Sequence, residues 1–140
     1  MTAGNGLPQV LILLSDPILE RVYRAELGSP HYCAVWCEKG ERWKENLLAF
    51  SYDVIVVDLG LFPNPQDIIL TLRKLAPDSA ILALCDPLDA RTVVAAYQNG
   101  VTECYLKPVS PETVRFSVEK IVRKKKLLSM SDTLNADLIV

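Results

Sequence analysis

The sequence has a single histidine, His31, and its four cysteines, Cys33, Cys37, Cys85 and Cys104, show no C-x-x-C pairing. Zinc sites draw on Cys and His clustered at short, fixed spacings, so this supply argues against one. The thiols read instead as free core groups of a reducing compartment, and the chain is expected to be cytoplasmic. A basic surplus is lacking as well. Fifteen Lys and Arg against 17 Asp and Glu leave a net charge of −2, which gives no broad surface for direct nucleic-acid contact. No stretch approaches the roughly 18 uninterrupted apolar residues of a membrane span, and "MTAGNG" has no basic segment leading into an apolar one. Neither a membrane partner nor a signal peptide is expected. Glycine is scarce, and "LLSDPIL" after the first apolar run contains none, which removes a Rossmann fingerprint. G-x-x-x-x-G-K-[ST] is absent too. Ser15 alone does not make a flavin phosphate site. No motif of an enzyme is left.

What is present is order. The 140 residues suit one domain with a real core. Apolar runs alternate with segments of helical period. Strands are predicted at 9–14, 31–37, 53–58, 80–85 and 102–106. Helices are predicted from Pro17 through "ILERVYRAEL", then at 41–50, 65–75, 89–100 and 110–128. The expected inward residues are Ile18, Val22 and Leu27 on the first helix, Trp43, Leu47 and Phe50 on the second, and Ile68, Leu72 and Leu75 on the third. Gly100 suits the residue after a helix, and Ser110, Pro111 and Glu112 form a start signal. Strands that are apolar throughout are buried on both faces, and helices between them make the sheet parallel. The fold class is therefore α/β, three-layered, with a central five-stranded parallel sheet. Residues 1–8 are expected to be a disordered arm, 9–128 the domain, and 129–140 a helical extension or linker. Leu127, Leu134 and Leu138 form its apolar stripe, which suits an output domain or a partner's matching helix. "RKKKLL" at 123–128 reads as a solvated helix face.

In an open α/β sheet, ligands gather beyond the carboxyl ends of the strands. Those ends carry Leu14, Ser15 and Asp16, then Asp58, then Cys85 and Asp86, then Lys107 and Pro108. Three carboxylates and one lysine are expected on one edge, with nothing comparable at the strand starts. Each has an ordinary reading beside the functional one. Asp16 before Pro17 suits a helix N-cap, Asp86 before Pro87 a loop, and a lone Asp such as Asp58 a turn. Cys85 and Cys104 read as core thiols. His31 opens the second strand, far from this edge, so it cannot serve a cysteine nucleophile there.

"VIVVD" ending in Asp58, "QNGVTECYLKP" ending in Lys107 and Pro108, and the five-fold strand–helix order resemble a response-regulator receiver domain of the CheY-like superfamily. The resemblance covers about residues 8–125. It implies a flavodoxin-like (βα)5 fold with strand order 2-1-3-4-5. It implies a two-component phosphorelay in which Asp58 accepts a phosphoryl group from a histidine kinase or phosphotransfer protein. Lys107 would contact that group. Mg2+ would be held by Asp58, the Gly60 carbonyl and a residue after strand 1, and a homodimer or an output protein would be the partner.

The family pattern also breaks. Its acid pair after strand 1 falls on Leu14 and Ser15 in one frame. In the other, Asp16 is a metal ligand and Ser15 its neighbour. The switch hydroxyl after strand 4 falls on Cys85, whose thiol is a weak donor. The switch aromatic falls on Cys104, and Tyr105 next to it faces the opposite side. Phe62 stands where a proline is usual, with Pro63 following. Two readings stay open: an atypical receiver with a weakened metal site, or a pseudo-receiver acting as a phosphorylation-independent interaction module.

Overall fold

Val54, Ile55, Val56 and Val57 are all fully buried, so the strand they form is covered on both faces. It is the centre of a parallel sheet built from β1 (Gln9–Leu13), β2 (Cys33–Cys37), β3 (Val54–Asp58), β4 (Ala80–Cys85) and β5 (Glu103–Leu106). The spatial order is β2-β1-β3-β4-β5. Between the strands lie α1 (Pro17–Leu27), α2 (Arg42–Ala49), α3 (Pro65–Leu75) and α4 (Ala90–Gln98), and α5 (Pro111–Ile139) follows β5. This computed structural model describes residues 6–14, 17–28, 30–37, 42–86 and 90–139, with side chains up to residue 130 apart from Pro17. Among the described residues no helix is long and apolar enough to cross a membrane.

Alternate residues of each strand enter opposite layers, as the pleat requires. Leu11, Ile55, Val57 and Ile81 meet Trp43 and Leu47 of α2, Ile69 and Leu72 of α3 and Ala96 of α4. Val10, Ile12, Val56 and Leu82 meet Tyr23 and Leu27 of α1 and Val114 and Val118 of α5 on the other side. The chain steps from β1 outward to β2, then returns past β1 to β3. Right-handed crossovers in opposite directions put α1 and α2 on opposite faces. The reversal opens a crevice between the carboxyl ends of β1 and β3, and Asp58 stands at its rim.

Two helix-face expectations and one strand boundary need correction. Ile18 and Val22 are 77% and 43% exposed and Tyr23 is buried instead, while Leu27 is buried as expected. Phe50 is 40% exposed because α2 stops at Ala49, and the helical spacing from Leu47 no longer applies. His31 lies in a turn before β2, and does not open that strand. The edge strands β2 and β5 are half-buried, so Cys33 and Cys104 are only partly enclosed while Cys37 and Cys85 are buried.

The end signals act as expected. Gly100 takes a left-handed φ of 101°, and the Val101 N–H returns to the Ala96 carbonyl at 3.1 Å to close α4. Ser110 Oγ accepts from the Thr113 N–H at 3.2 Å at the start of α5. That helix then runs without a break to Ile139, past residue 128.

A polar seam joins β5 to α5. The Tyr105 and Ser117 hydroxyls bond to the Glu103 carboxylate and to each other, and Lys120 Nζ lies 3.0 Å from Glu103 Oε1. Partial burial pushes the Glu103 carboxyl up, but the hydrogen bonds from Tyr105, Lys120 and Ser117 outweigh it and hold the group below its ordinary value. A depressed carboxyl contributes stability above its unfolded value, about 4.3, and loses it as pH falls through the folded value. Glu103→Gln should therefore lower the urea midpoint at neutral pH and converge with wild type in acid. A gap of constant size across that range would contradict the assignment.

Candidate functional site

Asp58 is the last residue of β3, and the chain turns at once into a short 3-10 helix, Leu59–Leu61. Its Oδ1 accepts the Gly60 N–H at 2.9 Å, so Asp58 does cap a turn. The same oxygen also receives Lys107 Nζ at 2.9 Å, from the loop after β5. A turn-forming role accounts for the first contact and not the second. The Asp58 side chain is 15% exposed and that of Lys107 30%, so the pair sits in a shallow recess that solvent can enter.

Asp86 joins them from the end of β4, its Oδ1 3.4 Å from Lys107 Nζ. Read from sequence as a loop residue, it is the second carboxylate of this lysine. The signal was its place after strand 4, matching that of Asp58 after strand 3. Burial lowers the Lys107 ammonium's pKa, but the hydrogen bond and charge of Asp58, followed by those of Asp86, outweigh this and raise it above the ordinary value. Lys107 is thus held as a cation. Gly60 keeps the space between the three groups open. A Cβ there would lie 3.1 Å from Lys107 Nζ, 3.2 Å from Asp58 Oδ1 and 3.5 Å from Asp86 Oδ2.

The neighbouring positions are less polar. Leu14 is 1% exposed and lies in the layer with Tyr23 and Val56, so it contributes no oxygen. Ser15 and Asp16, the two candidate ligands after β1, lie outside the described residues. Cys85 is buried at the end of β4, and its carbonyl accepts the Lys107 N–H at 2.8 Å. Its Sγ is 2.7 Å from Cys104 Sγ on β5. Tyr105 turns to the α5 side, as strand alternation demands, and stays away from Cys104. Among the described residues there is no cluster of three or more His, Cys, Asp or Glu fit to hold a metal. Asp58 and the Gly60 carbonyl remain as hard oxygen donors. Magnesium often takes one or two carboxylates and fills its other positions with water, so Asp58 is the described carboxylate that would hold it here.

The opposite edge is not as bare as expected. Asp53 Oδ2 accepts the Gln9 N–H at 2.8 Å, and its Oδ1 lies 3.5 Å from Lys125 Nζ of α5. The Arg73 guanidinium bonds to the carbonyls of Ala76, Pro77, Ser79 and Gly100. These contacts fasten loops and α5 to the sheet. The contacts of Arg73 with Gly100 and of Asp53 with Gln9 and Lys125 join residues brought together only by the fold, so no sequence spacing marks them.

No family model matches the sequence, and neither does any curated protein. Solved structures do match. A response regulator from Thermotoga maritima superposes with a TM-score of 0.74 at 19% identity, covering 84% of this chain and 98% of its own. A CheY-like receiver domain protein from Methanospirillum hungatei gives 0.75 at 16% identity, with 86% and 98% covered. A Rhodopirellula baltica protein named adenylate cyclase gives 0.77 at 21% identity, with 93% and 98% covered. The chain thus has the flavodoxin-like (βα)5 fold of CheY-like response-regulator receiver domains.

Proposed function

We propose that this chain is a receiver domain that accepts a phosphoryl group on Asp58 from a histidine kinase or phosphotransfer protein and signals through protein–protein contacts. The observation that carries this reading is the 2.9 Å contact of Lys107 Nζ with Asp58 Oδ1 at the switch point of the sheet. In the step, a carboxylate oxygen of Asp58 bonds to phosphorus and the P–N bond of a phosphohistidine breaks, returning its electron pair to the imidazole. The new acyl phosphate brings more negative charge than the carboxylate held. Lys107, 2.9 Å from Asp58 Oδ1, would neutralise it. Magnesium, when bound at Asp58 and the Gly60 carbonyl, would offset charge on the phosphoryl oxygens. A Burkholderia pseudomallei response regulator with this fold is described with a phosphorylated aspartic acid and a calcium ion. The cyclase-named neighbour is covered over 98% of its length, so what it shares is this fold and not an added domain.

A second reading has its own observation. Leu14 is buried where the family places an acid, and Cys85 supplies a thiol where it places a hydroxyl. This favours an interaction module that does not respond to phosphate. Magnesium with beryllofluoride separates the two. A mimic at about a hundredfold excess over its Kd adds about 2.7 kcal/mol to the folded state, or roughly 10 °C in Tm for a domain of this size. That rise is expected for wild type and not for Asp58→Asn. No rise, or an equal one in both, would leave the interaction module as the function.

A further inference from the structure

The two thiols at the rim face each other. Cys85 lies near the end of β4 and Cys104 in β5, and the register pairs Ala83 with Cys104 and Cys85 with Leu106. Cys85 is therefore the diagonal neighbour of Cys104 on the same face of the sheet, and both belong to the layer under α2, α3 and α4. Their side chains lean together until the sulfurs are 2.7 Å apart. The other two cysteines cannot imitate this. Cys33 and Cys37 are four residues apart in one strand, a span of about 13 Å. Cys37 Sγ instead accepts Asn46 Nδ2 at 3.0 Å.

We propose that Cys85 and Cys104 form a dithiol modification site, oxidised by a hydroperoxide to a disulfide that ties β4 to β5 beside Asp58 and Lys107. Cys104 is partly exposed and Cys85 is buried, so Cys104 meets the oxidant first. Its thiolate sulfur attacks the distal oxygen, the O–O bond breaks, and the leaving oxygen takes a proton to become an alcohol or water. Cys104 is then a sulfenic acid, oxidised by two electrons. Cys85 sulfur attacks it, the S–O bond breaks, and the hydroxyl leaves as water with the Cys85 proton. Two thiols and one hydroperoxide yield one disulfide, one water and one alcohol, or two waters from hydrogen peroxide. Burial raises the Cys104 thiol above its ordinary value while the Cys85 contact pulls it down, so the first step quickens as pH rises. The disulfide would hold the strand end whose carbonyl receives the Lys107 N–H. This site does not depend on whether Asp58 is phosphorylated.

The test is hydrogen peroxide treatment of the folded chain, followed by denaturation, alkylation and peptide mapping. The expected result is a cross-linked pair of peptides carrying Cys85 and Cys104, loss of their alkylation, and no cross-link at Cys33 or Cys37. Dithiothreitol should restore all four thiols, and the cross-link should form faster at alkaline than at neutral pH. Cys104→Ser should show no intramolecular cross-link. Wild type that keeps all four thiols alkylatable, that pairs any other two cysteines, or that stops at sulfinic acid on Cys104 would overturn the proposal. The wild-type map decides the matter even if the variant fails to fold.

Discussion

Lys107→Met is expected to weaken binding of magnesium with beryllofluoride by roughly ten- to a hundredfold, the worth of one hydrogen bond between charged groups. The methionine keeps an apolar stem of similar length but presents no cation. Asp58 Oδ1 would keep the Gly60 N–H, and Asp86 would lose its contact with the ammonium. Stability without ligand should change little. The pair is part-exposed, and such pairs contribute about 0–1 kcal/mol. Thermal scans with and without the mimic separate the two effects. A variant that melts like wild type alone and gains much less from the mimic is the expected outcome. A variant that gains as much as wild type would show that Lys107 does not face the bound anion.

Leu14→Asp should be severely destabilising, by about 3–8 kcal/mol, although it puts an acid where receiver domains usually carry one. Two costs add. Removing a buried leucine side chain costs about 2–5 kcal/mol, and an unpartnered polar group in its place about 1–3 more. Leu14 is 1% exposed, in a layer with Tyr23, Leu27 and Val56. The new carboxyl would shed its charge before staying ionised there, so its pKa would rise. The sign follows. The loss should be greatest at neutral pH and shrink in acid, where the unfolded state is protonated too. Domain stability is only about 5–15 kcal/mol, so the variant should be partly unfolded at 37 °C or thereabouts. Urea unfolding with and without magnesium checks it. Strong rescue by the metal would mean that position 14 opens onto the crevice after all.

The strands were legible because burial on both faces leaves a plain mark: Val54–Val57 and Ile81–Leu84 carry no polar residue to alternate. Helix ends were legible from Gly100 and Ser110. Helix faces were read less well. α1 has apolar residues on two stripes, and only the sheet beneath decides that Tyr23 goes in and Ile18 out. The rim could be read from position, since Asp58, Asp86 and Lys107 all follow strands that the repeat makes parallel. The meeting of Asp58 with Lys107 was implied by the family resemblance, whereas the contact of Asp86 with Lys107 was not, because it depends on how the loops after β4 and β5 lie together. The same holds for Cys85 and Cys104. Nineteen residues apart, they look like separate core thiols until the register sets them on one face.

The most direct measurement is transfer of a phosphoryl group from acetyl phosphate, with magnesium, followed by mass spectrometry of the intact chain and of the peptide holding residue 58. Receiver chemistry at this rim predicts a gain of one phosphoryl group, lost on hydroxylamine treatment, located at Asp58 and absent from Asp58→Asn. No gain under conditions where another receiver domain is labelled, or a gain on a different residue, would contradict it.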